Sequence, residues 1–308
     1  MKYLLSFFFS FSLYALEGLS TQEINKVNAA TLNTLLIFTS QDGLNSGLYH
    51  FTNTPVDVDM EIYHLPFIYH LDSNGKFNYF IIGNIGYSKT YLVGDIKQLP
   101  SGSTLDYNSH IQTFTAGIGG GTRYKFSSEL MLSGGVEFIY SRAGLSISLP
   151  NSNIGDTIEN FFNNNYSSNL SYKFFVLGEY RPVIYDFKPY VTLGYKLFET
   201  KSTVTFDELL SFDSESSVAT LNIGVETPSL LEYGRDTVTF EVYINTNYLN
   251  GTVEDVVNFS WYQNYGIVAY YNTPIQPTWA SRFFLELSTA QSDGLEGYNI
   301  GVGFTVDF

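Results

Sequence analysis

The sequence predicts an all-β fold, a transmembrane, antiparallel, up-and-down β-barrel of about twelve strands with a short N-terminal helix. Three observations predict it. Charged residues make up only 15% of the 308 while aromatics reach 17%, where soluble domains carry about 25% charge. No internal stretch approaches the ~20 apolar residues that a membrane helix needs. From residue 30 onward, apolar and polar residues alternate with a period of two, as strands with unlike faces do. Inside lipid every backbone polar group must find an internal partner, so a closed barrel is the remaining way to span a bilayer.

The chain divides into three segments. Residues 1–15 read MKYLLSFFFSFSLYA. Lys2 supplies a positive start, Leu4–Tyr14 an apolar stretch, and Ala15 a small residue at the cleavage point. This is the plan of a secretory signal peptide. Residues 16–30 form a leader in which Ser20 and Glu23 have the spacing of a capping box, with Leu19 and Ile24 as its hydrophobic staple. Ile24, Val27 and Ala30 recur at helical spacing, which predicts a helix over roughly 21–30. Its place is open between a free leader and a helix resting in or under the lumen. Residues 31–308 are the barrel.

The final strand is the clearest. Tyr298, Ile300, Val302, Phe304, Val306 and Phe308 share one face, and Asn299, Gly301, Gly303, Thr305 and Asp307 share the other. Apolar residues outward and small or polar residues inward is the barrel pattern. Leu130, Leu132, Val136, Phe138 and Tyr140 repeat it, as do Val191, Leu193 and Tyr195, and Val238, Phe240, Val242 and Ile244. Alternation is weak over residues 31–39, and residues 261–271 carry aromatics on both faces.

The connections count the strands. With both termini in the periplasm the strand number is even, inner turns are short and outer loops long. Working back from Phe308, outer loops fall at 291–296, 248–258, 200–216, 143–167, 90–107 and 41–57, and inner turns at 272–277, 228–235, 182–186, 125–127 and 72–76. That closes at about twelve strands, the first over 31–39. Asp72-Ser73-Asn74-Gly75 and prolines 182, 228, 274 and 277 supply turn chemistry. Tyr63, Tyr69, Tyr79, Tyr87, Tyr124, Tyr140, Tyr172, Tyr180 and Trp279 lie near strand ends, as interfacial girdles do.

Net charge is −15, which excludes nucleic acid as a partner, since phosphate binding needs a basic surface. Much of the acid falls in the outer loops, as at Asp95, Asp106, Asp156, Glu159, Glu254 and Asp255. That is a solvated face, without the spacing of a calcium loop. The lumen face collects both signs. Glu129, Glu137, Glu179, Glu226, Glu241, Glu286 and Asp307 stand against Arg123, Lys173, Arg181, Lys196 and Arg282. Two readings stay open: a wetted lining that sets ion selectivity, or ion pairs that brace a narrow barrel.

Nothing points to an enzyme or a cofactor. Cysteine is absent, and His50, His64, His70 and His110 have no metal-ligand spacing. His70 and Ser73 stand three apart, so on a strand they face opposite ways. Outer-membrane phospholipase A pairs such residues two apart, and the Asp-Ser-Asn-Gly run reads better as a turn. Gly117, Gly119, Gly120 and Gly121 fall within a strand pattern, where glycines mark bends or close backbone packing.

The terminal pattern from Tyr298 to Phe308 resembles the assembly signal of bacterial outer-membrane proteins. Size, strand count and the short preceding helix resemble the translocator domain of autotransporters, here a solitary one. The resemblance implies location in the bacterial outer membrane, with lipid, lipopolysaccharide and the barrel-assembly machinery as partners. It implies a pore or channel. The alternative is a structural or surface-interaction barrel acting through its acidic outer loops.

Overall fold

A computed structural model describes residues 46–52, 58–71, 75–96, 105–148, 166–204, 213–273 and 282–305. Its strands are β1 (Ser46–Phe51), β2 (Val58–Leu71), β3 (Phe77–Ile96), β4 (Leu105–Lys125), β5 (Leu130–Ser148), β6 (Tyr166–Tyr180) and β7 (Lys188–Val204). There follow β8 (Asp213–Glu226), β9 (Leu231–Tyr233), β10 (Asp236–Gly251), β11 (Trp261–Asn272), β12 (Arg282–Ser292) and β13 (Leu295–Thr305). Among the described residues one helix, α1 (Thr252–Val257), stands between β10 and β11.

Each strand pairs antiparallel with its neighbour in sequence, except that β10 pairs β8 directly. β1 pairs β13, from Ser46 opposite Ile300 to Phe51 opposite Leu295, and this closes the sheet. The short β9 pairs β10 only, within its own hairpin. The wall is therefore a closed barrel of twelve strands. Closure leaves no open sheet edge, which lipid requires.

The period of two separates the faces. Leu65, Phe67, Ile85, Ile118, Phe138, Val176, Leu193, Ile223, Val242, Ile267, Leu287 and Ile300 all point outward and are exposed. So large an apolar surface on every long strand is a lipid-facing belt. Aromatics bound it. Tyr63 stacks on its cross-strand partner Tyr87, with ring centroids 6.3 Å apart. At the opposite end Tyr124 lies 4.7 Å from both Phe77 and Phe126. The belt and rings define a membrane barrel. The longest interval between consecutive strands, from Ser148 to Tyr166, marks the outer end. β13 runs from that end toward the periplasm.

Inward positions explain two sets of glycines. Gly119 faces the lumen where β4 crowds β5, and a Cβ there would meet the carbonyl oxygen of Val136 at 2.2 Å. Lumen-facing Tyr49, Tyr190 and Tyr243 lie opposite Gly297, Gly224 and Gly266. The missing side chain makes room for each ring.

Several expectations need correction or fall outside the described residues. The outer loop read at 41–57 is interrupted by β1. Its Gly43-Leu44-Asn45-Ser46-Gly47 run carries loop chemistry, yet pairing on both sides overrides it from Ser46. The first strand read at 31–39 lies outside the described residues, as do the signal peptide and the 21–30 helix. The loops read at 90–107, 143–167 and 200–216 are shorter, because β3 to β8 continue past the belt. Their Ser, Thr and Asn residues pair in register to Ile96–Leu105 and Asn108–Ser148. The loop read at 248–258 is the end of β10 followed by α1.

Candidate functional site

The lumen is the site, and it changes character along its length. At the periplasmic end the inward side chains form one polar network around Glu226. Its Oε2 lies 2.9 Å from Nη2 of Arg282 and 4.0 Å from Nη1 of Arg181. Its Oε1 lies 3.3 Å from Nζ of Lys188 and accepts from the Thr239 hydroxyl at 3.1 Å. These residues come from β8, β12, the turn after β6, β7 and β10. Short turns bring the strand ends together, so residues far apart in sequence meet. Glu179 holds Arg181 at 3.2 Å.

The same cations lie on tyrosine rings. The Arg282 guanidinium stands 3.4 Å from the Tyr270 centroid, and that of Arg181 stands 4.6 Å from Tyr190. Guanidinium over an aromatic face is favourable and fixes the planar group. Tyr190 donates to Glu241 Oε1 at 2.7 Å, and Tyr270 donates to Oε2 at 3.1 Å. Tyr243 donates to Glu286. Carboxylates here therefore have partners of two kinds, cations and phenols.

Midway along the lumen a second group gathers on β3 to β6. Glu137 and Lys173 are cross-strand partners and form an ion pair, 2% and 5% exposed. Asn84 donates to the same carboxylate. Gly117 makes the space, since a Cβ there would meet Asn84 Nδ2 at 2.5 Å and Glu137 Oε1 at 2.6 Å. A cavity beside this group is bounded by His64, Phe80, Arg123, Phe175 and Lys196. Arg123 donates from Nε to Ser133 at 3.2 Å.

At the outer end the lumen turns apolar. Phe51, Ile62, Phe198, Val218, Leu249 and Tyr262 point inward from six strands and pack with Val253 and Val257 of α1 and with Phe259. Phe51 and Phe259 stack with centroids 6.4 Å apart.

The charges read from sequence are distributed as follows. Glu226, Arg181 and Arg282 meet in one cluster, flanked by Glu179 and Glu241. Glu137 meets Lys173. Lys196 bounds the cavity, and Glu286 takes Tyr243. Glu129 sits in the turn between β4 and β5, where its carbonyl accepts from the Arg181 amide at 2.8 Å. Asp307 lies outside the described residues. Of the terminal pattern, Tyr298, Ile300 and Val302 are exposed on the lipid face. Phe304 is within β13, while Val306 and Phe308 lie outside the description. Sequence reading missed Asn84, Lys188, the inward tyrosines and α1. Lys188 sits next to Pro189 at a strand start, just past the turn read at 182–186. Tyr270 falls in the stretch with aromatics on both faces and Tyr49 in the run read as loop, while Tyr190 and Tyr243 carry no reading from sequence, although Gly224 and Gly266 opposite those two were a usable signal.

No family model and no curated protein matches this sequence. Solved structures do match in fold. The translocator domain of the autotransporter NalP from Neisseria meningitidis superposes with a TM-score of 0.58 at 12% identity, over 94% of this chain and 100% of that one. The beta domain of the Bordetella autotransporter BrkA gives 0.55 at 11% identity, over 86% and 97%. The transport unit of AIDA-I from Escherichia coli gives 0.51 at 8% identity, over 91% and 98%. In fold, this chain is similar to these autotransporter translocator domains, as a closed antiparallel β-barrel of twelve strands.

Proposed function

We propose that this chain is a pore of the bacterial outer membrane, a transport barrel and not an enzyme. The observation that carries the reading is the set of acidic and basic side chains that face the inner lumen. Burying paired charges is costly, and a packed apolar filling of equal volume is often at least as stable. The same barrel fills its outer end with just such an apolar core. Charged groups retained along the rest of the lumen fit a wetted path that selects among solutes. The fold neighbours are named as translocator and transport units, and that role extends here as part of the proposal. Residues 1–15 direct export, and outer-membrane lipid and lipopolysaccharide meet the belt and girdles. The assembly signal from Tyr298 to Phe308 engages the barrel-assembly machinery. Of the lumen charges, the partly exposed Glu179, Arg181, Lys196 and Arg282 line the path, and the buried Glu137, Lys173, Glu226, Glu241 and Glu286 stand behind them, with Glu129 at the periplasmic rim.

The test is single-channel conductance of the folded, signal-free chain in a planar bilayer, with and without residues 16–30. Steady conductance that rises on deletion supports a pore restricted by the leader. A sealed bilayer with both forms overturns the pore and leaves function to the outer loops.

A further inference from the structure

The outer apolar core contains one element that does not belong to the wall. A helix of six residues is too short to be stable by itself, so α1 exists because it is packed. Gly251 precedes it without any side-chain cap, and Asn258 ends it in the left-handed conformation at φ 56°. Val253 and Val257 are four apart and share one helical face. They are 1% and 3% exposed, and both point into the barrel. Glu254 and Asp255 fall on the other side, Asp255 exposed. Phe259 follows and lies between Phe51 of β1 and Tyr262 of β11, 6.4 and 6.5 Å from their centroids. The segment thus meets residues of β1 and β11, three places apart in the wall.

Its polar tethers to the wall are few. The Val253 amide donates to Ser216 Oγ at 3.2 Å, and the Leu249 amide donates to the Ser260 carbonyl at 2.8 Å. The entry bend is set by Gly251, at φ 82° and ψ −151°. A Cβ there would meet the Glu215 carbonyl oxygen at 2.4 Å, so the bend needs glycine. Most of the hold is therefore apolar contact, which has no directional lock. Two residues of positive φ, Gly251 and Asn258, flank α1.

We infer that residues 252–259 are a folded-in stopper, which closes the lumen from the outside and opens by swinging out about its two ends, Gly251 and Ser260. The stopper gives the proposed pore a closed state and rests on that reading for its physiological meaning. Its existence as a barrier does not.

The test uses the full signal-free chain, whose lack of cysteine makes any added thiol unique. Ser288 faces the lumen one inward position below Ala290, which packs in the apolar core. Ser288→Cys is labelled from the outer side with a membrane-impermeant maleimide. Slow labelling is expected, and at least tenfold faster labelling when Val253→Asp and Phe259→Asp are added. Equal rates in the two folded forms overturn the stopper. In a second variant, Ser216→Cys with Val253→Cys is oxidised to tie α1 to β8. This form is expected to be silent in a planar bilayer until reduced, and steady conductance already present before reduction and unchanged by it also overturns the stopper. If labelling accelerates while every form stays electrically silent, the stopper stands and the pore reading fails. If conductance is steady and equal in all forms and labelling does not change, the pore stands and the stopper fails.

Discussion

Tyr190 lies over Gly224, its cross-strand partner, and from there delivers its hydroxyl to Glu241 at 2.7 Å. A Cβ at position 224 would meet the ring at 2.6 Å. The glycine thus serves the lumen network and not only the wall. Gly224→Val should displace the ring and destabilise the barrel by about 1–3 kcal/mol, the usual cost of overpacking. Tyr190→Phe keeps the ring and removes the donor, leaving Glu241 with Tyr270. It should cost about 1 kcal/mol, a single hydrogen bond's net worth. Reversible urea unfolding in lipid vesicles reads both, and a Gly224→Val barrel as stable as the native one removes the steric account.

Much of this architecture was legible in the sequence because barrels obey a short code. The period of two put Val136, Phe138, Leu193 and Val242 on lipid and Glu137, Lys173, Glu226 and Arg282 in the lumen. Turn chemistry then counted the strands. The misreadings share one cause, which is that tertiary pairing outranks local preference. β1 is bordered by Gly, Asn and Ser and holds because two strands flank it. α1 is too short to announce itself, and its Val253 and Val257 have meaning only once the lumen exists to receive them. Partner choice was also out of reach. Nothing local tells Arg282 to meet Glu226 of β8, since that depends on how strands across the lumen are staggered.

The pair Glu137 and Lys173 provides a sharper energetic test. Both are buried, and Asn84 serves the same carboxylate. Removing one partner leaves a charge buried without compensation, which costs about 3–5 kcal/mol. Lys173→Met should therefore be strongly destabilising. Lys173→Met with Glu137→Leu should recover most of the loss, because apolar replacement of a whole buried pair is often neutral. A double-mutant cycle on vesicle-folded barrels measures the difference. Additive losses would show that the two side chains do not depend on each other.

Selectivity follows from the lumen census. Among the described residues, Arg123, Lys173, Arg181, Lys188, Lys196 and Arg282 face Glu137, Glu179, Glu226, Glu241 and Glu286 across an interior whose surrounding chain is strongly acidic. Glu226 alone engages three of those cations. Glu226→Gln removes that neutralisation and leaves Arg181, Lys188 and Arg282 lining the periplasmic end with excess positive charge. In a pore, the reversal potential in a potassium chloride gradient should move toward chloride preference. Arg282→Gln should move it the opposite way. Shifts of the same sign from both variants would place the ion path elsewhere.

The lipid-facing belt and the lumen face can be separated on a single strand. Leu193 of β7 is 62% exposed on the outer face. Thr192 points inward, with Glu179 and Asn222 as its cross-strand partners. A cation on the lipid face of a barrel costs about 2–4 kcal/mol near the midplane and about 0–1 near the interfaces. Leu193→Arg should therefore destabilise the barrel by about 2–4 kcal/mol in vesicles, and much less in a detergent that packs loosely around the belt. Thr192→Lys adds the same charge one residue away, but beside the carboxylate of Glu179, and should change stability by less than about 1 kcal/mol. The contrast is read by urea unfolding of the two variants in the same lipid. Equal losses would mean that position 193 is not in contact with acyl chains, and the register of β7 in the membrane would have to shift by one residue, which exchanges the two faces.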